Sequence, residues 1–384
     1  MGQRILLKIG SSVVTTPQGN PDHESLALIA RAIAERKVAG DQFLIVGSGA
    51  EEWGRRVAQL DEDFDVDESR IEQRGVLRAT LRQQIRTIAG QPLIVRHYAD
   101  AFARQDLCLI HLLVARQDLA EQSRFDRLRS VVMNLLRLGL VPFFAHNALA
   151  IHSEPAFGGE DELACLLATS LQVDRLILMT DVDGIFDGPP SDSNSTPIRE
   201  ILDLEATAIR GLEEFGDGVR AKLEAARLLR GFGIEMQIIN GRSLGSLRDA
   251  LSGSTAVGTR FPARGRKLKL RKSWVALAAD SRGSVCVSSF LADSLAAGKP
   301  ASILLIGVEK ADGEFRNRDV VTVVDISDRK LGRGQVRMSI GDLKQYLEHR
   351  RVGMDSRPSS TILIHCDEFV PAPTTEIESS RSDG

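Results

Sequence analysis

Cysteine is scarce in this 384-residue chain, and the four present, Cys108, Cys165, Cys286 and Cys366, are scattered, mostly within apolar runs, with no CxxC spacing. That pattern argues against zinc and disulfides and for reduced core residues of a cytoplasmic protein. The seven histidines show no ligand spacing, and isolated ones such as His97 and His349 read as structural. A surplus of one charge is also missing. The 49 Lys and Arg against 52 Asp and Glu leave a net charge of -3, so the molecule as a whole is not expected to bind nucleic acid or a membrane surface by charge. No apolar run is long enough to span a bilayer. The first one is interrupted at Lys8 and a glycine turn before it reaches the length of a secretory core, so the cytoplasm is the expected location. Internal repeats, a GxxxxGK[ST] loop and a protein-kinase signature are absent as well.

What remains is a globular composition, 43% hydrophobic and 26% charged, in a chain long enough for two domains. Up to about residue 262, short apolar runs alternate with helix-period segments. The strand candidates are "ILLKI", "QFLIVG", "QPLIV", "LCLIHLLV", "VPFFA", "RLILMT" and "MQIIN". Strands apolar on both faces and separated by helices predict an α/β fold, an αβα sandwich with a mostly parallel sheet. The segments "ESLALIARAIAERKVAG" and "VRAKLEAARLLRGFG" keep helical spacing and are expected to end at Gly40 and Gly231. Residues 262 to 272, "PARGRKLKLRK", hold six basic and no acidic residues and read as a linker or a basic strand. Short strands with little helix follow ("VCVSS", "ASILLIGV", "DVVTVVDI", "TILIHC"), the pattern of a small β-barrel-like domain. The expected division is 1–262, 263–371 and a polar tail, 372–384, that is expected to be disordered. The acidic run "LDEDFDVDES", residues 60 to 69, reads as a solvated loop.

The chemistry gathers at strand exits. In "ILLKIGSSVVTT" Lys8 ends an apolar strand and is followed by Gly10, Ser11 and Ser12. A glycine turn admits an anion close to the backbone, and the lysine supplies the counter-charge, so the stretch fits a phosphate site as well as an ordinary strand end. "VGSGA" places Ser48 and Gly49 at a second exit, and "FGGEDELA" places Asp161 between a glycine pair and a helix. "LMTDVDGIFDGPP" carries Thr180, Asp181 and Gly184 after a strand, and "FGDGVRAKLEAA" opens a helix with Gly216, Asp217, Gly218 and Lys222. Each alone is compatible with a cap or a turn. Two lysines, an aspartate and several glycine turns on one sheet edge suit phosphoryl transfer, in which the protein mainly positions and neutralises charge.

These motifs together resemble the glutamate 5-kinase family, amino-acid kinases that carry a C-terminal PUA domain. The resemblance rests on "KIGSS", "GSGA", "TDVDGIF" and "GDGVRAKLEAA", on "VGTRF" at 257 to 261, and on the segment from Arg271 to Val308; it spans Ile5 to about Val370. It implies that Lys8, Asp161 and Lys222 form the catalytic set, Asp161 orienting the two ammonium groups. It further implies ATP, held by Lys8, Gly10, Ser11, Thr180, Asp181, Gly184, Gly216, Asp217, Gly218 and Lys222, and Mg²⁺ bridging phosphate oxygens. No protein metal ligands are expected. L-glutamate would be the acceptor, in the first step of proline biosynthesis. A homo-oligomer and functional coupling to a glutamyl-phosphate reductase are the further expected partners, with no membrane.

The substrate side departs from the family pattern. Of an Asn-Glu-Asn-Asp stretch only Asn147 survives, and Ala148 replaces its aspartate. A Gly-Asp-Asn-Asp loop reads Gly158, Gly159, Glu160 and Asp161, while Phe215, Asp217 and Val219 stand where the family has glycine, glycine and methionine. The substrate set that the resemblance implies is Ser48, Gly49, Asn147, Ala148 and Glu160, with Glu160 expected to supply the negative charge that Ala148 lacks. Two alternatives stay open: a paralogous kinase with another amino-acid or carboxylate acceptor, and a catalytically inactive protein that binds nucleotide or RNA. RNA binding is disfavoured, because the basic stretch has few aromatics near it, chiefly Trp274.

Overall fold

The computed structural model describes residues 2–58, 78–146, 160–189, 192, 194–204, 206, 216–243, 245–265, 267, 270–278, 281–297, 301–353 and 360–372. The acidic run 60–69 and the tail 373–384 lie outside them. The chain divides into two compact units, Met1–Asp118 with Ser123–Leu268, and Leu119–Gln122 with Lys269–Gly384.

The first unit is built on seven strands: β1 (Arg4–Ile9), β2 (Gln42–Gly47), β3 (Leu109–Val114), β4 (Val141–His146), β5 (Arg175–Thr180), β6 (Glu235–Asn240) and β7 (Thr259–Phe261). Their order is β3-β4-β2-β1-β5-β6-β7, parallel except for β7 against β6. In β1, Leu6 and Leu7 have neighbouring side chains on opposite faces and both are fully buried. Parallel strands covered on both sides need this double apolarity. The helices α1 (Ser11–Val14), α2 (His23–Val38), α3 (Ala50–Ala58), α4 (Arg78–Ala103), α5 (Arg116–Ala120), α6 (Gln122–Arg137) and α7 (Glu160–Ser170) precede β5 in the chain. Two later helices, Asp217–Gly231 and Ser246–Leu251, flank β6. Asp22 starts α2 by accepting hydrogen bonds from the Glu24 and Ser25 N–H groups.

Two glycines fix how α3 meets α4. A Cβ at Gly54 would overlap the Arg86 carbonyl, and one at Gly90 would overlap the Ala50 carbonyl, so the helices touch backbone to backbone. Because α3 begins directly after Ser48 and Gly49, this contact also sets the position of the β2 exit.

Several expectations need correction. "QPLIV" is no strand: it lies inside α4, with Pro92 in the helix interior. Ile94, Tyr98, Ala101 and Phe102 are buried at helical spacing, and that packing outweighs the strand preference of Ile and Val and the hydrogen bond that proline cannot donate. The second glycine-terminated helix runs through Gly231 to a cap at Phe232, and Gly233 takes the positive φ of 72°. Of the cysteines only Cys165 is buried; Cys108 is exposed.

The second unit contains β8 (Ser281–Val287), β9 (Ile303–Leu304), β10 (Val308–Gly313), β11 (Val320–Val324), β12 (Lys330–Gln335), β13 (Ile362–Ile364) and β14 (Phe369–Pro371). They form a sheet ordered β10-β8-β11-β12-β14 and a separate pair, β13-β9. Val285, Val287, Leu305, Phe315, Val321 and Leu343 lie in its core. It holds more helix than the strand-rich pattern predicts, with Ser289–Ala296 following β8 and Ile340–Arg351 bounded by a Ser339 cap. The described part of 262–272 contains a short helix, Leu270–Ser273, rather than a basic strand. Among the described residues no helix is long and apolar enough to cross a membrane.

Candidate active site

β1 pairs with β2 on one side and β5 on the other, and successive connections diverge across this pair of neighbours. Ligands of open parallel sheets bind beyond the carboxyl ends of the strands at such a point. Register places Lys8 opposite Val46 and Leu178, and Ile9 opposite Gly47 and Met179. The "KIGSS", "GSGA" and "TD" stretches therefore leave the sheet on one edge, as their sequence positions suggest.

Lys8 and Asp161 meet there, with Nζ to Oδ1 at 2.7 Å. Asp161 comes from the first turn of α7, where Glu160, Asp161 and Glu162 face the positive end of the helix. Lys8 is 13% exposed and Asp161 30%, so the pair is partly shielded yet open to a ligand. Gly10 follows, its N–H donating to the Met179 carbonyl at 3.0 Å, and a Cβ there would lie 2.8 Å from that same oxygen. A side chain at position 10 would push β1 away from β5. Ser11 opens α1, whose first N–H groups have no partners within the helix.

The next part of this edge is formed by β2 and α7. Ser48, 7% exposed, donates its hydroxyl hydrogen to Glu160 Oε1 at 3.3 Å. Gly49 precedes α3 with φ 112° and lies against Trp53. Asn147, Ala148, Gly158 and Gly159 lie outside the described residues, as does Phe215.

On the other side, Thr180 ends β5 and donates to Asp181 Oδ1 at 3.1 Å. Gly184 follows in a turn that Thr259 holds: the fully buried Thr259 hydroxyl accepts from the Ile185 N–H at 2.7 Å and donates to the Ile198 carbonyl at 2.6 Å. Gly216 caps the helix Asp217–Gly231 with φ 126° and ψ 162°, a conformation open mainly to glycine. Asp217 and Gly218 are its first residues. Lys222 Nζ has the Gly218 carbonyl at 3.4 Å and no carboxylate partner among the described residues. Lys8 and Asp161 are thus brought together, while Lys222 makes no ion pair with Asp161 among the described residues.

Three contributors escaped the sequence reading. Arg242, just after β6, donates to the Ser12 carbonyl at 2.8 Å and the Thr15 carbonyl at 3.3 Å, pinning α1. Its only sequence signal is an arginine at a strand exit. Thr259 sits within "VGTRF", a segment noticed for its resemblance and not for a role in the turn. Tyr98, fully buried, packs on Phe143 with ring centroids 4.8 Å apart, and its hydroxyl lacks a hydrogen-bond partner of good geometry. Burial raises its phenol well above the ordinary range; the nearby Ser48 backbone opposes that shift and the Glu160 charge adds to it. The strand expectation for "QPLIV" hid this residue, since it misplaced the helix that carries it.

Residues 3–240 match the amino acid kinase family, which is well over half of the chain. The chain belongs to the amino acid kinase family. This member also matches the PUA domain over residues 283–355. It is 33% identical to the glutamate 5-kinase of Thermobifida fusca (strain YX) over 383 residues, covering 96% of this chain and 93% of that protein. It is 32% identical to the glutamate 5-kinase of Geobacillus kaustophilus (strain HTA426), covering 96% of this chain and 97% of that protein. A crystal structure of a T. acidophilum isopentenyl phosphate kinase product complex aligns with a TM-score of 0.47 at 19% identity, covering 67% of this chain and 99% of that one.

Proposed function

We propose that this amino acid kinase is a glutamate 5-kinase, transferring the γ-phosphoryl group of ATP to the side-chain carboxylate of L-glutamate in the first step of proline biosynthesis. The observation that carries the reading is the Lys8–Asp161 pair at 2.7 Å on the switch-point edge of the sheet, in a chain alike over nearly its whole length to glutamate 5-kinases. A carboxylate oxygen of the acceptor attacks the γ-phosphorus, the bond from that phosphorus to the β,γ-bridging oxygen breaks, and ADP leaves with the electron pair. The acceptor is already ionised at neutral pH, so no strong general base is needed. Lys8, oriented by Asp161, and Lys222 neutralise charge on the phosphates, and preorganised charge of this kind is the main source of phosphoryl-transfer catalysis. Thr180, Asp181, Gly184 and the turn at Gly216 to Gly218 take the nucleotide, while Ser11, in the turn that Gly10 opens, presents its backbone N–H to phosphate.

Among the described residues no group of three or more His, Cys, Asp or Glu is placed to cage a metal ion, and Asp161 is already engaged by Lys8. Mg²⁺ entering with the nucleotide would add further charge neutralisation beside Lys8 and Lys222. Ser48, Gly49 and Glu160 take glutamate, with Glu160 facing its ammonium group. The product is an acyl phosphate, so a reductase that consumes it is the fitting functional partner, and self-association into a homo-oligomer belongs to the same reading.

The test is ADP release by the purified protein with Mg-ATP, with and without L-glutamate, beside a panel of other amino acids and a Lys222→Ala control. Glutamate-dependent turnover lost in the control supports the reading. Turnover only with another panel member would replace glutamate as acceptor, and ATP binding without turnover on any of them would overturn the kinase assignment.

A further inference from the structure

The second unit holds a cavity of about 350 Å³ whose polar lining is Arg271, Asn317, Arg318, Gln335, Arg337 and Glu368. Three guanidinium groups face one carboxylate, a local surplus of two positive charges in a chain whose net charge is -3. Glu368, 7% exposed in its side chain, accepts from Arg271 at 2.8 Å and from Arg337 Nε at 3.1 Å. It holds both arginines at the rim while leaving further N–H groups of each unengaged. The Arg318 side chain forms no hydrogen bond or ion pair among the described residues.

The backbone around Arg318 is fixed. Arg318 has φ 77°, a left-handed conformation that a side-chain-bearing residue adopts only when its surroundings impose it. Its N–H donates to the Val336 carbonyl at 2.8 Å, and its own carbonyl accepts from Gln335 Nε2 at 2.6 Å. Gln335 is 2% exposed. This scaffold presents the one unpartnered guanidinium beside the two that Glu368 orients.

We infer that this cavity binds a small phosphate-bearing anion. Guanidinium groups match phosphate oxygens with paired, charge-assisted hydrogen bonds, and the surplus of two charges matches a dianion. Nucleic acid fits less well, because no aromatic side chain lines the cavity for base stacking. Trp274, the aromatic nearest to the basic stretch in sequence, is 4% exposed and donates its indole N–H to the Leu119 carbonyl at 2.9 Å. The site is separate from the kinase site and stands whether or not glutamate is the acceptor.

The test is calorimetric titration of the full chain with inorganic phosphate and with glucose 6-phosphate, repeated on Arg318→Ala, Arg337→Ala and Lys222→Ala. Binding that survives Lys222→Ala and weakens about tenfold in Arg318→Ala is the expected result, the size following from loss of a charge-assisted hydrogen bond. Stronger binding of glucose 6-phosphate than of phosphate identifies a phosphate ester as ligand, and the reverse identifies the free anion. Arg318 is exposed and holds no ion pair among the described residues, so an unchanged melting curve is expected for Arg318→Ala. Binding abolished by Lys222→Ala alone, no binding of either anion at millimolar concentration, or tighter binding of a single-stranded oligonucleotide would each overturn the assignment.

Discussion

Ser48 donates its hydroxyl hydrogen to Glu160 at 3.3 Å, joining the end of β2 to the first turn of α7. By the resemblance drawn from the sequence, Glu160 takes the place of an asparagine and Ala148 that of an aspartate. In the proposed reading, this carboxylate is the partner of the acceptor's ammonium group. Glu160→Gln keeps the shape and the hydrogen bond to Ser48 but removes the charge. We expect KM for glutamate to rise about tenfold or more, with kcat less affected, since a charged hydrogen-bond partner typically contributes that much binding. Steady-state kinetics at saturating Mg-ATP decide it, and an unchanged KM would sink the compensation by Glu160.

Lys222 has no carboxylate partner to lose among the described residues, so Lys222→Ala is expected to leave the melting temperature in place while lowering kcat by on the order of 10²–10³. Asp161→Asn frees Lys8 from its ion pair without removing the lysine. A fall in kcat with ATP affinity retained is the expected signature of a positioning role, measured by nucleotide binding alongside turnover.

The Tyr98 hydroxyl is buried without a good partner, so its removal leaves nothing unsatisfied behind. Tyr98→Phe should alter stability by no more than about 1 kcal/mol, and in the stabilising direction if at all. A denaturant melt measures this, and a large destabilisation would mean that the Ser48 backbone engages the hydroxyl more firmly than the geometry indicates.

Glu235 binds two arginines in the first unit, Arg175 at 2.8 Å and Arg260 at 2.7 Å, and Arg175 also donates to the fully buried Gln237. Removing the acid strands a nearly buried guanidinium. Glu235→Ala is expected to cost about 3 kcal/mol, the usual consequence of breaking one side of a buried charge cluster, visible in chemical unfolding.

Asp174 supplies a pH dependence. Burial alone would raise its carboxyl, but the Arg4 N–H and Lys267 outweigh that and hold it below the ordinary aspartate value. A depressed folded-state pKa contributes stability that is present above the unfolded pKa and lost as pH falls through the folded one. Asp174→Asn should therefore lower the melting temperature at neutral pH and flatten the decline on acidification below the ordinary aspartate range. Parallel wild-type and variant melting curves across that range would contradict this.

The parallel sheet was legible because strands buried on both faces carry a signal in composition alone, as "RLILMT" does. The shared edge of three motifs was legible because "KIGSS", "GSGA" and "TD" each follow such a strand, and parallel register then delivers them together. α4 was not, since "QPLIV" mimics a strand over five residues and only the longer spacing from Ile94 to Phe102 reveals the helix. Tyr98 went unseen for that reason. Contacts such as Arg242 with Ser12, far apart in the chain, leave no local trace, because they depend on which strand ends become neighbours.

The bare-backbone crossing at Gly54 and Gly90 gives the β2 exit an anchor that owes nothing to side-chain chemistry. In the proposed reading the polar groups that take the acceptor can be exchanged, while the frame that carries Ser48 keeps its dimensions. Acceptor choice and scaffold geometry are thereby separable traits, and drift in the first need not disturb the second. A single methyl group at either glycine would reset the scaffold itself, from a point that touches no ligand.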